Sequence, residues 1–293
     1  MKSQIAYVLC ATVLAAVTSG PIAAETSGPP ERLTQSPMEL HRNADGSIKR
    51  GLRNTIQTGY WSGLAATAAA PYTSASGTFQ VPNVIYSGTA SISYAAPWVG
   101  IGGYGDYTLI QLGVLEAVGA GGSLYQVWYE LYPAPSVYIS HTVKPGDIIT
   151  ASLECTAACS PSQMQTWLLT MTNETAGWAW TQTVQYQSSM ASAEWIVEAP
   201  FNSSGETPLA DYTRTTFDPV SANGANPNLT LAANGIQMLN PWGETSNPSA
   251  RSGATPSAHA GGWLRASPRA PSIPSRRRHP LPPRHRSLPT RNR

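Results

Sequence analysis

Two short segments, far apart in the chain, carry polar side chains that could perform acid–base chemistry. One is Thr108-Leu109-Ile110-Gln111-Leu112-Gly113 and the other is Ala193-Glu194-Trp195-Ile196-Val197-Glu198. Each places a glutamine or glutamate in an apolar run typical of a β-strand, where a polar group costs free energy unless it is compensated. Catalysis is the interpretation that best accounts for polar groups in such surroundings.

Side chains two residues apart on a strand point to the same face. Gln111 therefore shares a face with Gly113, and Glu194 shares one with Glu198. A third run puts polar and acidic groups among aromatic residues on one face of a strand: Gln126, Trp128, Glu130 and Tyr132. Such a face resembles a substrate groove more than a core, although a solvated sheet face gives the same spacing.

The groups that other hydrolases need are missing from this region. His141 is its only histidine, and neither Gly-x-Ser-x-Gly nor His-Glu-x-x-His occurs, so serine and zinc hydrolases lack their parts. A sandwich-fold glycosidase or a lectin stays as the alternative. Glu194 and Glu198 lie about 13 Å apart on an extended strand, beyond the roughly 5 to 9.5 Å between glycosidase carboxylates. Glu130 and Glu198 could approach each other across strands.

From Gly59 onward, runs rich in Tyr, Trp, Val, Ile and Thr alternate with Gly, Pro, Asn and Ser, which predicts antiparallel strands. No stretch keeps a helical period for three turns. So many strands predict an all-β fold of two packed sheets. The candidate strands cover roughly residues 58–66, 75–82, 91–101, 107–118, 123–132, 137–143, 147–155, 164–173, 178–187, 192–199, 211–218 and 228–239.

The ends of the chain differ from this body, which we place at residues 54–250. Lys2, an apolar run and small residues up to Ala24 predict a signal peptide over residues 1–24 and a secreted protein. Residues 25–53 are polar and are interpreted as a pro-segment or linker. Residues 251–293, rich in Pro and Arg, are predicted to be disordered. A shifted reading frame or a divergent tail would leave the sandwich one strand short, with an unpaired edge.

Charge is unevenly distributed along the chain. Between Asn54 and Ala250 there are two basic residues and twelve acidic ones, so the body is strongly acidic, whereas ten arginines and no acid follow from Arg251. The arginines lack interleaved aromatic residues, so we expect no nucleic-acid partner. The basic residues of 25–53 could pair with the acidic body near neutral pH and be released when its carboxylates protonate.

Cys155 and Cys159 are the only cysteines after the predicted signal peptide. In an oxidising compartment we expect them to form a disulfide that closes a short loop. Two unrelated thiols are the alternative. No His or Cys partners for a metal lie nearby in the sequence, so we expect neither a metal nor a cofactor. No segment has eighteen uninterrupted apolar residues, and we expect no membrane partner.

Five motifs occur in the order and spacing of the glutamic peptidases, or eqolisins, and the chain resembles this family over roughly residues 57–240. In two places it differs from the family. Gly102 stands where fungal relatives have an aspartate, and Tyr60 stands where the family usually has an asparagine. The five motifs are Trp98-Val99-Gly100-Ile101-Gly102, Leu109-Ile110-Gln111-Leu112-Gly113, Val127-Trp128-Tyr129-Glu130-Leu131-Tyr132-Pro133, Ala193-Glu194-Trp195-Ile196-Val197-Glu198-Ala199-Pro200 and Leu209-Ala210-Asp211-Tyr212.

The resemblance implies a secreted acid endopeptidase, expected to be a monomer that acts on proteins and peptides. It implies a concanavalin A-like sandwich of two antiparallel sheets with a catalytic dyad on a concave face. The family's glutamine falls on Gln111 and its glutamate on Glu198. The residues expected to bind substrate in the matching motifs are Trp98, Trp128, Glu130 and Tyr132.

The residue types suit peptide hydrolysis, which needs a base for water and a donor for the oxyanion. An ionised Glu198 can take the proton and return it to the leaving amine, while the amide of Gln111 donates N–H groups at any pH. Because an unperturbed glutamate titrates near about 4.3, we expect an acidic optimum.

Overall fold

The computed structural model describes residues 33–67 and 71–249, and the backbone of residues 264–269. Residues 33–53, predicted as a pro-segment or linker, pack on the body within the compact unit that begins at Glu31. Leu33 and Met38 are buried. The predicted signal peptide lies outside the described residues. Among the residues that are described, no helix has the length and apolar character needed to span a bilayer.

The first layer of the fold carries the candidate site. Its strands pair antiparallel, except that β1 (Ile56–Thr58) runs parallel to β17 (Gly235–Leu239). Every residue of β12 (Ala193–Glu198) is buried, and this strand lies between two neighbours near the middle of the layer. In spatial order the strands are β17 (Gly235–Leu239), β2 (Trp61–Ala66), β12 (Ala193–Glu198), β5 (Ile92–Ile101), β6 (Ile110–Gly119), β7 (Gly122–Leu131) and β8 (Val137–Ile139).

The second layer covers the back of the first. Buried and half-buried residues alternate along β10 (Gln165–Asn173), where Trp167, Leu169 and Met171 point inward. In spatial order the strands of this layer are β11 (Trp178–Tyr186), β10 (Gln165–Asn173), β9 (Ile148–Ala157), β3 (Ser74–Gln80), β16 (Thr215–Ala222), β19 (Leu264–Arg269) and β18 (Thr245–Ser249). β17 pairs with β18, so hydrogen bonds run continuously from one layer into the other.

Large side chains join the two layers, and the predicted all-β sandwich is confirmed. Trp195 on β12 points away from the site, and its indole Nε1 donates to the carbonyl of Ser76 on β3 at 2.8 Å. A Cβ on Gly77 would lie 2.8 Å from the indole, so glycine is needed for this close approach. The remaining elements are the hairpin β13 (Phe201–Asn202) and β14 (Gly205–Glu206), the pair β4 (Val84–Ile85) and β15 (Asp211–Tyr212), helix α1 (Leu231–Asn234) and a 3-10 turn (Leu52–Asn54).

Two features of the C-terminal part were not expected from the sequence. Residues 264–269, predicted to be disordered, form β19 between β16 and β18, so those two strands do not keep unpaired edges. Strand pairing uses backbone groups, which an Arg-, Ser- and Pro-containing segment also supplies. Within the expected strand 228–239, residues 231–234 are helix α1, because the Thr230 side chain accepts from the Ala233 amide and caps it. The rest of the predicted tail lies outside the described residues.

Glu116 on β6 is a carboxyl group buried between the layers. It is 0 % exposed, and within the described part of the chain neither of its oxygens has a hydrogen-bond partner. Burial raises its pKa well above the usual range, because the ionised form loses its solvation. The protonated, neutral form of Glu116 is therefore the one favoured in the core.

Replacing Glu116 with glutamine is expected to raise the melting temperature at neutral pH and to change it little in acid. The folded pKa exceeds the unfolded one, so the wild-type carboxyl's contribution to stability is complete below the unfolded pKa and is lost as the pH rises through the folded pKa. One pKa unit corresponds to about 1.4 kcal/mol, and about 1 kcal/mol shifts Tm by roughly 2–4 °C in a domain of this size. Calorimetry in acid and at neutral pH measures the difference.

Glu154→Gln is the matched control, since Glu154 lies on a strand of the second layer with its side chain exposed. An equal rise in Tm for both variants would contradict the assignment to Glu116, as would a lower Tm for Glu116→Gln at neutral pH.

Candidate active site

Strand register brings the candidate residues onto one face of the first layer. Glu194 on β12 is opposite Gly100 on β5, which is opposite Gln111 on β6, which in turn is opposite Glu130 on β7. Directly opposite residues of antiparallel strands point to the same side. Glu198, four residues after Glu194, points there too. These residues bring three carboxyl groups and the amide of Gln111 onto one face.

Trp98 on β5 lies between the strands that carry Gln111 and Glu198. Its indole Nε1 donates to Glu198 Oε2 at 2.8 Å, and its ring packs on Gly100, where a Cβ would come within 2.8 Å of Cζ3. A Cβ on Gly113 would lie 2.6 Å from that of Trp98. The two glycines thus make room for the indole, and the indole fixes the Glu198 carboxyl.

The polar groups on this face are withdrawn from water. Gln111, Glu130, Glu194 and Glu198 are each 0 % exposed. Among the described residues, neither the amide of Gln111 nor the carboxyl of Glu194 has a hydrogen-bond partner. Leaving a buried polar group unpaired costs about 1–3 kcal/mol. Such a cost is typical of a group kept for a ligand, and the amide of Gln111 is available to accept or donate.

Burial dominates the acid–base properties of the face. Burial raises the pKa of Glu198 well above its ordinary value, and the charge of nearby Glu130 raises it further. The hydrogen bond from the Ser36 N–H favours the ionised form and lowers the pKa. Burial also raises the pKa of Glu130 to about 8, against hydrogen bonds from Ser136 and from the Gln35 amide. In this covered state both carboxyl groups are neutral in acid.

The cover is residues 33–38, which we call the cleft segment. The Ser36 amide donates to Glu198 Oε1 at 2.9 Å, and the preceding amide, of Gln35, donates to Glu130 Oε2 at 3.1 Å. Consecutive Cα atoms are about 3.8 Å apart, so the two carboxyl groups approach each other to within roughly 10 Å. Strands that are not neighbours therefore direct their acids at the same short stretch of peptide.

The remaining predicted site residues lie close to this face. Trp128 on β7 is buried opposite Gly113, and Tyr132 follows the end of β7 half-buried, its carbonyl accepting from the Tyr186 hydroxyl at 2.7 Å. The predicted disulfide between Cys155 and Cys159 is confirmed, at the end of β9 and away from the site strands. In the part of the chain that the structure describes, no three His, Cys, Asp or Glu side chains converge on a possible metal position.

Sequence reasoning missed three contributors. Trp61 packs edge-on against Trp98, with ring centroids 4.9 Å apart. Tyr60, noted only as a departure from the family, accepts from the Glu39 amide and donates to the carbonyl of Pro37. Ser136 lies in the loop after β7 and is hydrogen-bonded to Glu130. The aromatic pair Tyr60-Trp61 could have indicated a role, whereas nothing in the sequence distinguishes Ser136.

Comparison with known proteins gives one consistent answer. Residues 59–257 match the sequence model of the Peptidase A4 family. Aspergillopepsin-2 of Aspergillus niger is 30% identical over 195 residues, which are 59% of this chain and 67% of that protein.

Solved structures share the fold. A crystal structure of scytalido-glutamic peptidase with a transition state analog inhibitor aligns with a TM-score of 0.55 at 23% identity, over 71% of this chain and 98% of that one. SCP-B, described as a member of the Eqolisin family in complex with the tripeptide Ala-Ile-His, aligns with a TM-score of 0.51 at 21% identity, over 71% and 98% of the two chains.

Proposed function

This chain belongs to the peptidase A4 family, the glutamic peptidases, and is a hydrolase acting on peptide bonds, and we propose that Gln111 and Glu198 form its catalytic dyad. Both residues lie on one face, and both are buried. The observation that carries the proposal is the hydrogen bond from a peptide amide, that of Ser36, to Glu198. A base in this position can reach the nitrogen of a bound polypeptide. The glycosidase alternative is not retained.

In the proposed reaction, ionised Glu198 takes a proton from a water molecule, whose oxygen adds to the carbonyl carbon of the substrate. The Gln111 amide donates to the oxyanion that forms, as an oxyanion hole does. Glu198 then returns the proton to the nitrogen, the C–N bond breaks, and a carboxylic acid and an amine leave. Cleavage of denatured casein that resists pepstatin and disappears in Glu198→Gln tests the proposal.

The pH dependence of this reaction depends on the cleft segment. Desolvation is the main reason why the pKa of Glu198 is raised, and it weakens when the segment leaves and water enters the cleft. The pKa of Glu198 therefore falls on opening, so the ionised base persists to lower pH in the open enzyme than in the covered one. This change is what makes an acidic optimum compatible with a buried glutamate.

We further propose that residues 25–53 are a pro-segment that blocks the site until they are removed. The contacts differ from the charge pairing suggested by the sequence, since Arg42 and Arg50 donate to the backbone carbonyls of Gly46 and Asn54. It is backbone amides of the cleft segment that reach Glu130 and Glu198. Ser36 donates to one oxygen of Glu198 and Trp98 to the other, and the covered carboxyl is 0 % exposed, so it is closed to bulk water.

Ser36→Pro is expected to raise the initial rate of the full-length precursor by roughly tenfold or more, since a tethered blocking segment acts at a high effective concentration. Proline removes the N–H that donates to Glu198, whereas Ser36→Ala keeps it and is expected to stay as inactive as the wild type. Initial rates on a quenched peptide, read before any chain cleavage is seen on a gel, compare the two. Equal rates for both variants would contradict the block.

Export remains part of the proposal. A signal peptide over residues 1–24 would direct the protein to the exterior, where acid proteolysis and the Cys155–Cys159 disulfide are both favoured. N-terminal sequencing of protein recovered from the culture medium should begin after Ala24 and never at Met1.

A further inference from the structure

The cleft segment is bound as an extended peptide, with hydrogen bonds to the body along its backbone. Between residues 34 and 39, only Pro37 lacks an N–H, and each of the remaining five amides donates to a group of the body. The acceptors are the Phe201 carbonyl (from Thr34, 2.9 Å), Glu130 (from Gln35, 3.1 Å), Glu198 (from Ser36, 2.9 Å), the Gly103 carbonyl (from Met38, 2.8 Å) and the Tyr60 hydroxyl (from Glu39, 3.0 Å). Such recognition accepts any sequence, so selectivity has to come from side chains.

From residue 33 to residue 37, alternate side chains of the segment point into the protein. Leu33 and Gln35 are 2 % and 1 % exposed, whereas Thr34 and Ser36 between them are half-buried. This is the period of two expected for an extended chain. The inward positions are therefore the ones at which the cleft can discriminate, and one of them holds a polar side chain.

The side chain of Gln35 is recognised by Ser136, which also contacts Glu130. The Ser136 hydroxyl lies 2.6 Å from Gln35 Oε1 and 2.5 Å from Glu130 Oε2. With Glu130 protonated in acid, its O–H donates to the Ser136 oxygen and the single Ser136 hydrogen goes to Gln35 Oε1. Glu130 in turn accepts the backbone amide of Gln35. One residue of the bound peptide thus has its backbone and its side chain held by two adjoining protein groups, both next to the proposed dyad.

The register relates this position to the bond that is cut. The nitrogen of Ser36 contacts Glu198, the proposed proton donor. That nitrogen is joined to the carbonyl of Gln35, so the peptide bond beside Glu198 is the one between Gln35 and Ser36. A substrate bound along the same path would place its scissile bond there. The residue at the Gln35 position would then supply the carbonyl that is attacked.

We infer that the cleft selects substrates with a glutamine on the carbonyl side of the cleaved bond, and that Ser136 is the residue that selects it. The inference rests on the proposed function, because it takes Glu198 as the group that meets the leaving nitrogen. Water adds its oxygen to the glutamine carbonyl carbon, the C–N bond breaks, and the nitrogen leaves with a proton. The products are a peptide ending in glutamine and a new amine.

Physical reasons favour the amide over its competitors. An alanine at this position leaves the buried Ser136–Glu130 pair without its third partner, and an unpaired polar group is what makes such sites reject the wrong side chain. A glutamate that is ionised in water loses its hydration when it enters this buried site, a free-energy cost that does not arise for the neutral amide.

Quenched peptides that differ only at this position, with Gln, Glu or Ala, test the inference at the pH of maximal activity. The protein is expressed as the full chain and incubated in acid until a gel shows that residues 25–53 have been released. We expect kcat/KM to favour Gln over Ala by roughly 5- to 50-fold, the usual effect of a buried polar group left unpaired. Ser136→Ala should reduce that ratio to about twofold or less, because it lowers kcat/KM for the Gln peptide much more than for the Ala peptide. Ser136→Thr, which keeps the hydroxyl, should retain the preference, and Ser140→Ala, an exposed serine at the end of β8, serves as the control.

The possible failures are distinct. Cleavage of all three peptides at equal rates, or a preference for Gln that survives Ser136→Ala, overturns the inference while the proposed function stands. Cleavage by Glu198→Gln at a rate close to that of the wild type overturns the proposed function itself. A folded Ser136→Ala, verified by an unchanged Tm, is required for the comparison, and Ser136→Thr supplies the same test if that variant does not fold.

Discussion

Replacing Glu198 with glutamine is expected to lower kcat by a factor on the order of 10² to 10⁴, the range that a general base contributes. The substitution keeps the shape of the side chain and an oxygen for the Trp98 indole, which donates to Glu198 Oε2 in the wild type. It removes only the ability to exchange a proton. Binding should persist, so KM should change far less than kcat. Steady-state kinetics on a quenched peptide at the pH optimum measure both.

Glu194→Gln is the control that gives this result its meaning. Glu194 lies on the same strand and the same face as Glu198 and is equally buried, and burial raises its pKa in the same direction. It lacks the contact with the bound peptide that Glu198 makes. Less than about a tenfold loss of kcat is expected there, well below the effect of a general base. A larger loss of kcat in Glu194→Gln than in Glu198→Gln would contradict the proposal and identify Glu194 as the base.

The pH profile offers a second check on Glu198. A group that must be ionised gives a rate that rises through its pKa, so kcat/KM of the wild type should fall on the acid side of the pKa of Glu198 in the open cleft. The residual activity of Glu198→Gln should lose that limb, because the group that titrates there is gone.

The strands of the site were predictable from the sequence because the alternation of side chains along a strand depends only on neighbouring residues. Period-two alternation places Gln111 and Glu198 each on a definite face of its own strand, and the motifs fix which strands carry them. The sharing of one face depends on register, with Gly100 opposite both Gln111 and Glu194. Nothing in a single strand specifies its partner's register, and here family resemblance supplied what spacing could not.

The cleft segment could not be predicted, for a different reason. Residues 33–38 have no apolar periodicity that competes with a linker interpretation, and they are ordered by acids 95 and 162 positions away in the sequence. β19 shows the same limitation, since its place between β16 and β18 depends on backbone pairing with distant strands. Composition reports what a segment can bury by itself, and it misses segments that are held by their surroundings.

Gln111→Ala is expected to lower kcat by a factor on the order of 10² to 10³, the cost of removing one oxyanion donor. The amide of Gln111 is buried, and among the described residues it has no partner, so the cleft segment does not use it. We therefore expect the variant to bind the cleft segment, and a substrate in its ground state, much as the wild type does. The loss should appear in kcat with little change in KM, as for a contact made only in the transition state.

Gln126→Ala is the matched control for this prediction, because Gln126 is a half-buried amide on β7 that points to the same face. It lies away from Glu130 along the strand, and its loss should change kcat by less than about threefold, as is usual for a side chain outside the reacting centre. The double variant Gln111→Ala, Glu198→Gln then decides whether the two residues act together. Residues that serve one step are not additive, so the double variant should fall little below Glu198→Gln alone. A fully multiplicative loss would mean that the amide contributes to binding or folding, and that another group holds the oxyanion.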